Sequence, residues 1–285
     1  MIRCGLALLA ALSLLSCGKN GAVDAPAAPA LWEVTGAHGE HAWLFGTIHA
    51  LPQGTKWQTD ALDQALRQAD SLVVEVANLN DASAGAQAFA AVSQSPGLPP
   101  LLQRVAPADR PALARALTRA GLHEGDLAAM ESWAAALTIA NAQETGESEN
   151  GVDRALLGRG LPVIGLEGFA EQFAIFDRLP QQDQSDLLRL AADEGEADED
   201  RKMTEAWLRG DLKTLDREAS EGVLADPELR QALLIDRDRA WIDRIVALLD
   251  QRRRPFVAVG AAHMLGDVGL PALLAARGYS VRRIQ

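Results

Sequence analysis

Short apolar runs alternate with stretches of helical periodicity along most of this 285-residue chain. Residues 31–34 and 42–48 are β-type runs on either side of a polar turn, and they predict a hairpin. Residues 60–69 carry their apolar side chains on one helical face, and the apolar run 71–76 follows directly. The first part of the chain therefore predicts a hairpin followed by a helix and a further strand.

The rest of the chain continues this alternation with more helix. Residues 107–146 have helical spacing and no strand signal, which predicts a helical insertion. A short helix at 151–160 precedes an apolar run at 161–167. Helical patterns then occupy 169–178, 183–222 and 226–251, and a strand, a helix and a strand close the chain at 256–259, 269–277 and 279–284. The predicted fold class is α/β, with a mixed central sheet and a large helical insertion.

The first 30 residues have a different character. Residues 1–16 carry one charge, Arg3, and an apolar run too short to span a bilayer, as in a signal peptide. The tetrad ending at Cys17 resembles the lipobox of bacterial lipoproteins, whose cysteine is acylated; the alternative is a plain secretory signal. We expect a lipoprotein signal peptide at 1–16, a flexible tether at 17–30 and one domain at 31–285. Gly18 after the cysteine favours the outer membrane, facing the periplasm.

Composition excludes two classes of function. Lys and Arg total 27 against 39 Asp and Glu, which gives a net charge of -12, so nucleic acid is not an expected partner. The two cysteines, Cys4 and Cys17, both precede the predicted domain. The domain thus has no thiol for a disulfide, a zinc cluster or a nucleophile.

The candidate chemistry begins with a motif that occurs twice. Gly-x-x-His follows an apolar strand at Gly46 to His49 and again at Gly260 to His263. Loops beyond strand ends are held by a rigid frame, so the two histidines can meet in one cleft. Imidazole is the commonest protein ligand for a divalent transition ion, so the repetition predicts a metal site. The alternative is that each histidine only stabilises its turn.

Four further residues are candidates for the same site. Glu75 lies inside an apolar strand, where a buried carboxylate would need a cation or strong donors; its alternative is a solvated sheet face. Glu167 ends a second apolar strand, which makes it a candidate second carboxylate of the site; the alternative is a carboxylate in the N-cap region of the next helix. Asp153 is balanced between a site role and helix capping. Arg237 is either an anion clamp or part of a salt-bridged exposed helix face.

Other polar residues are assigned no chemistry. His38 and His41 lie in the hairpin turn and His123 in the helical insertion, without partners at ligand spacing. The acidic stretch 193–200 lacks the residue order of an EF-hand and is interpreted as a solvated helix face.

The motifs around His49 and His263 resemble the ends of the TraB/GumN family, and residues 31–285 are similar to it throughout, including Glu75, Asp153 and Glu167. That family is similar to the TIKI metalloproteases, and more distantly to erythromycin esterase-like and haem-binding ChaN-like proteins. The resemblance implies an α/β fold of TIKI/erythromycin esterase-like architecture, in which both Gly-x-x-His segments and an acid form a divalent metal centre. The chain has Arg237 followed by Asp where the family often has Arg-Asn, which puts that helix's part in ligand binding in doubt.

The leading hypothesis is a metal-dependent hydrolase, by resemblance a peptidase acting on peptides or other small periplasmic substrates. His49, Glu75 and His263 would hold Mn²⁺, Co²⁺ or Zn²⁺, and Glu167 or Glu75 would move a proton; Asp153 and Arg237 complete the candidate catalytic set. The alternative is a non-catalytic lipoprotein that binds metal or haem. Tyrosine is one of the residues that ligate haem iron, and the chain has a single tyrosine, Tyr279, in its last predicted strand, which counts against haem.

Overall fold

The computed structural model describes residues 27–143, 150–192 and 197–285. The predicted signal peptide, Cys17, most of the predicted tether and the first part of the acidic stretch lie outside these residues. The described chain divides into two compact units. We call residues 27–77, 150–167 and 197–285 the sheet unit, and residues 78–143 and 168–192 the helical unit.

One six-stranded sheet organises the described part of the sheet unit. Its strands lie in the order β4-β3-β5-β2-β1-β6. Strands β2, β5, β3 and β4 are parallel to one another, and β1 is antiparallel to both of its neighbours, β2 and β6. Their bounds are β1 Leu31–Thr35, β2 His41–Thr47, β3 Ser71–Val76, β4 Val163–Glu167, β5 Pro255–Gly260 and β6 Ser280–Arg283. The predicted hairpin is confirmed as β1 and β2, and the sheet is mixed, as expected.

The apolar runs form the inner strands because those positions are covered on both faces. Every residue of β3 and β5 is buried, and so is β2 after its first residue. A parallel strand covered on both faces needs a continuous apolar sequence, and residues 71–76 and 255–260 supply one apart from Glu75 and Ser71. The first and last strands of the chain pair with each other, which brings residues 280–283 next to residues 32–35.

Seven α-helices belong to the described sheet unit: α1 Asp60–Gln68, α5 Val152–Leu157, α8 Ala197–Leu208, α9 Leu212–Glu221, α10 Pro227–Arg230, α11 Asp236–Asp250 and α12 Leu270–Ala276. The predicted helix over 226–251 begins as expected, with the Asp226 side chain accepting from two backbone N–H groups and proline at the first turn. It is interrupted by a π-helical turn, Gln231–Ile235, before α11. The helical pattern predicted over 183–222 corresponds to three helices, α8 and α9 here and α7 (Gln181–Leu190) of the helical unit.

Five α-helices make up the described helical unit: α2 Ala82–Val92, α3 Arg110–Ala120, α4 Ser132–Gln143, α6 Phe169–Asp177 and α7 Gln181–Leu190. The expected helical segment is confirmed as α3 and α4, and Gly121 ends α3 in the left-handed conformation with φ 68°. Rings from three helices pack together at Trp133, Phe89 and Phe173. Helix α2 was not predicted.

The core of the sheet unit lies between the sheet and α11 with α12. Ile242, Ile245 and Leu249 of α11 pack with Val257 and Val259 of β5 in one buried cluster. The last residues of the predicted tether also join this unit: Ala30 is buried, and the Ala28 N–H donates to the Leu208 carbonyl. The α/β fold class is confirmed, whereas a TIKI-like architecture stays a prediction. Within the described residues, no helix has the length and apolarity needed to cross a membrane.

Candidate active site

Four parallel strands of the sheet unit end at one edge, and each brings a predicted residue there. His49 follows β2, Glu75 is the penultimate residue of β3, Glu167 is the last residue of β4, and His263 follows β5. In open α/β sheets, side chains beyond the carboxyl ends of parallel strands converge on one crevice. The tertiary structure thus gathers residues from widely separated parts of the chain at one end of the sheet.

Arg237 on α11 joins three of these groups. Its Nη2 donates to Glu75 Oε2 at 2.7 Å and to Glu167 Oε2 at 3.0 Å, and its Nε donates to Glu167 Oε1 at 2.8 Å. Its Nη1 donates to the Leu233 carbonyl at 3.0 Å and lies 3.2 Å from His263 Nε2. A guanidinium has five N–H groups, and these five contacts use all of them.

This saturation limits what Arg237 can do. The side chain is 3% exposed, so the exposed-face alternative is wrong. An anion clamp would have to give up a bond to Glu75, Glu167 or His263 before it could bind a substrate. In the geometry observed, Arg237 positions the other groups of the site.

Glu75 is a buried carboxylate whose partners are the strong donors that the sequence required. Besides Arg237, the backbone N–H of Gly260 donates to its Oε1 at 2.8 Å. Burial alone would raise the pKa of Glu75, but the Arg237 guanidinium, followed by His263 and His49, lowers it to about 2. The solvated-face alternative is therefore wrong. A carboxylate this acidic is a weak base at neutral pH, so Glu75 is poorly suited to move a proton.

Glu167 shares the same guanidinium and is not a helix cap. The N-cap of α6 is Gly168, and the Glu171 carboxylate accepts from its backbone N–H. Glu167 Oε1 accepts instead from the Trp241 indole N–H at 3.0 Å, in addition to its Arg237 bonds. Two carboxylates and one guanidinium thus form a continuous ion-pair network.

The hydrogen bonds of His263 identify the nitrogen that carries its proton. Arginine is only a donor, so the contact with Arg237 is a hydrogen bond when His263 Nε2 accepts. The proton then lies on Nδ1, which faces Asp238 Oδ1 at 2.6 Å. The Trp241 ring centroid lies 4.5 Å from the His263 ring and 4.5 Å from the Arg237 guanidinium carbon. His263 is thereby held on both ring nitrogens and on one face.

Asp238 is a site residue that the sequence analysis did not identify. It is fully buried, its Oδ2 has no hydrogen-bond partner, and burial raises its pKa against the opposing effect of His263. Its position beside Arg237 on a helix suggested an exposed charged run. The available signal was the helical spacing, because Asp238 lies three and four residues before the apolar Trp241 and Ile242. A π-helical turn, which is frequent at functional sites, directly precedes this pair.

A second histidine–aspartate pair stands at the end of β2. His49 Nδ1 lies 2.5 Å from Asp153 Oδ2, and the Thr47 hydroxyl donates to Asp153 Oδ1 at 2.5 Å. The backbone N–H of Val152 donates to the Ile48 carbonyl, which holds the start of α5 against this loop. Asp153 lies in the first turn of α5, and Gly151 is its N-cap. Its carboxylate oxygens thus form hydrogen bonds with two residues at the end of β2. Of the two roles that the sequence left open for Asp153, this geometry favours a role in the site over helix capping.

The glycines of the two Gly-x-x-His motifs allow close approach. A Cβ on Gly46 would lie 2.9 Å from the Ala261 Cα, inside any normal contact distance. A Cβ on Gly260 would lie 3.2 Å from Glu75 Oε1, and the Gly260 N–H donates to that same oxygen. The motif therefore packs β2 against the segment after β5 and brings a backbone donor to Glu75.

The remaining histidines lie elsewhere. His38 and His123 are exposed, and His41 pairs with Glu33 at 3.0 Å and contacts the Trp43 ring at a tilt of 33°. Their exclusion from the site is consistent with these positions.

The donor types suit a divalent ion, but their arrangement does not. Metal-bound histidines commonly donate their other ring nitrogen to a carboxylate, as His49 and His263 are placed to do. However, the nitrogen and the oxygen that His263 and Glu75 would offer both contact Arg237. In the described part of the chain, no three His, Cys, Asp or Glu side chains are grouped to hold a metal ion. An ion shared by His49, Glu75 and His263 thus requires Arg237 to move.

These features define an α/β protein with a buried charged centre at the carboxyl ends of its parallel strands, flanked by two histidine–aspartate pairs. The chain belongs to the TraB/PrgY/gumN family, whose model matches residues 30–283. Neither the comparison with curated proteins nor that with solved structures gave a significant match. The family expected from the sequence is confirmed.

Proposed function

We propose that this TraB/PrgY/gumN protein is a hydrolase in which His49 activates the attacking water. The observation that carries the proposal is the short bond between His49 Nδ1 and Asp153, whose other oxygen accepts from Thr47. A carboxylate on one ring nitrogen orients the imidazole and stabilises its protonated form, so proton transfer takes place at Nε2. His49 is also more accessible than its partner, with 16% of the side chain exposed against 7% for Asp153.

The other candidate bases support this assignment. Imidazole is the side chain whose ordinary pKa lies nearest to neutral pH, whereas the pKa of Glu75 is lowered to about 2. Glu167 accepts two bonds from Arg237 and one from Trp241, so both of its oxygens are already engaged by donors. His263 Nε2 lies 3.2 Å from Arg237 Nη1, so this nitrogen already has a hydrogen-bond partner. His49 is thus the base that the geometry favours.

Peptides are the proposed substrate class, by the resemblance to the TIKI metalloproteases. His49 Nε2 takes a proton from water as the water oxygen bonds to the amide carbon. The imidazolium then returns that proton to the leaving nitrogen as the carbon–nitrogen bond breaks, giving a carboxylic acid and an amine. The Mn²⁺, Co²⁺ or Zn²⁺ that the resemblance implies would polarise the carbonyl or the water if Arg237 moved aside to admit it, and the proton transfers assigned to His49 do not require it.

The test is turnover of a mixture of synthetic peptides by the purified chain, followed by mass spectrometry. We expect His49→Ala to lower turnover by about 10²-fold to 10⁴-fold, the usual contribution of a positioned base. His41→Ala is the matched control, because that histidine is paired with Glu33 away from the site. Equal turnover by the His49 variant and the natural chain would refute the proposal. Haem uptake without turnover would support the carrier alternative instead.

We also propose that the protein is anchored by lipid on Cys17 in the bacterial envelope, at the outer membrane and facing the periplasm. Metabolic labelling with a radioactive fatty acid should mark the full chain, and Cys17→Ser should remove the label. Labelling that persists in the variant would contradict the anchor.

A further inference from the structure

We propose that Arg237 is the resident cation of this centre and takes the position that a divalent ion would otherwise occupy. The inference uses the site described for the proposed hydrolase, but it concerns cation binding and does not depend on turnover.

The first support is the identity of the groups that surround the guanidinium. Glu75 offers one oxygen at 2.7 Å, Glu167 offers both oxygens at 2.8 and 3.0 Å, and His263 offers Nε2 at 3.2 Å. Two carboxylates and an imidazole nitrogen are the donors that Mn²⁺, Co²⁺ and Zn²⁺ accept from proteins. In this protein the two carboxylates and the imidazole surround the Arg237 guanidinium, a positive charge that the chain itself supplies.

The second support is charge balance in a buried volume. The carboxylates of Glu75 and Glu167 have side chains 10% and 9% exposed, and Arg237 is 3% exposed. An ion added beside the guanidinium would meet a positive charge at short range with little water to screen it. The Trp241 ring lies against the same guanidinium at 4.5 Å and supplies a further favourable contact for a cation.

The third support is the tautomer of His263. Its Nε2 lone pair is directed to Arg237 while Asp238 takes the Nδ1 proton. That tautomer is the one a metal-bound imidazole would also adopt, so removal of Arg237 would leave His263 already oriented for an ion. The structure therefore makes a specific prediction about a variant: without its arginine, this centre should become a metal site.

The experiment compares the natural chain with Arg237→Ala by calorimetric titration with Zn²⁺ and Mn²⁺ and by elemental analysis after dialysis. We expect the natural chain to retain no stoichiometric ion, and Arg237→Ala to bind one ion on the order of 100-fold more tightly, because a positive charge is removed and donor groups are released. Adding His263→Ala to that variant should abolish the gain. Arg244→Ala is the matched control: this arginine lies on the same helix, and its Nη1 donates to the Leu166 backbone carbonyl at 2.6 Å.

Two outcomes of the binding measurements would overturn the inference. In the first, the natural chain holds about one ion and the double variant His49→Ala, His263→Ala loses it, which would show that the metal coexists with Arg237. The other is a folded Arg237→Ala that binds ions no better than the Arg244 control. If Arg237→Ala does not fold without metal, ring ¹⁵N spectra of the natural chain decide: Zn²⁺ should leave the His263 signals unchanged, and a shift would refute the inference. Turnover of peptides is measured separately, so either proposal can fail alone.

Discussion

The low pKa of Glu75 makes the stability of the sheet unit sensitive to acid in a way that one substitution isolates. Burial raises the pKa of this carboxyl, but Arg237, His263 and His49 outweigh it and lower the pKa from 4.5 to about 2. A carboxyl whose pKa is lowered on folding stabilises the protein above its unfolded pKa, and that stability is lost as pH falls through the folded pKa.

The magnitude follows from the shift. A change from 4.5 to about 2 corresponds to roughly 3 kcal/mol of stability at pH 7, of which about 2 kcal/mol is lost by pH 3. Glu75→Gln keeps the side-chain volume and removes the charge. We therefore expect the variant to be less stable by about 3 kcal/mol at pH 7, and the gap to narrow to about 1 kcal/mol at pH 3.

Urea unfolding at several pH values measures this gap, and hydrogen exchange by mass spectrometry reports on the sheet unit separately from the helical unit. Asp243→Asn is the control, because Asp243 forms an exposed pair with Arg277 and such pairs contribute little. The reasoning is refuted if the difference between the natural chain and Glu75→Gln stays constant from pH 7 to pH 3.

Three further substitutions test the frame around the site. Asp153→Asn should lower turnover by about 10²-fold or more without changing the circular dichroism spectrum, because the base that we propose, His49, loses its orienting carboxylate; full activity would exclude that role. Gly46→Ala should cost about 1–3 kcal/mol, since its Cβ would lie 2.9 Å from the Ala261 Cα, whereas Gly125→Ala, whose Cβ meets nothing within 4 Å, is the control. Equal melting temperatures for those two variants would contradict the packing argument. Trp207→Phe should destabilise by about 1–3 kcal/mol in thermal unfolding, because the buried Gly46 carbonyl loses its 2.8 Å indole donor, and an unchanged melting temperature would count against it.

The secondary structure was accessible from the sequence wherever periodicity and turn chemistry agreed. The hairpin at residues 31–47 and the apolar strands at 71–76 and 255–260 combine clear runs with clear boundaries. The helical pattern over 183–222 did not show where its three helices begin and end, because the residues between them are also helix formers. Helix α2 lacks a charged face, and its alanine-rich sequence gave no amphipathic signal.

The sequence also identified the candidate residues at the ends of strands. His49, His263 and Glu167 could be found because each follows or ends an apolar run, and strand ends are local features. Glu75 could be found because a charge inside an apolar strand requires a partner. The repeated Gly-x-x-His motif then pointed to one shared site.

Only the tertiary structure decided which groups bond to which. The sequence predicted that Glu75 needs a cation or strong donors but did not show which; in the described structure Arg237, 162 positions later in the chain, donates to Glu75. Asp238 and the tautomer of His263 depend on which face of α11 meets the sheet, and an interruption by a π-helical turn changes that face. Local periodicity fixes what each segment can form, but the partners of a buried charge are set by the packing of distant segments, because only packing removes the water that would otherwise solvate it.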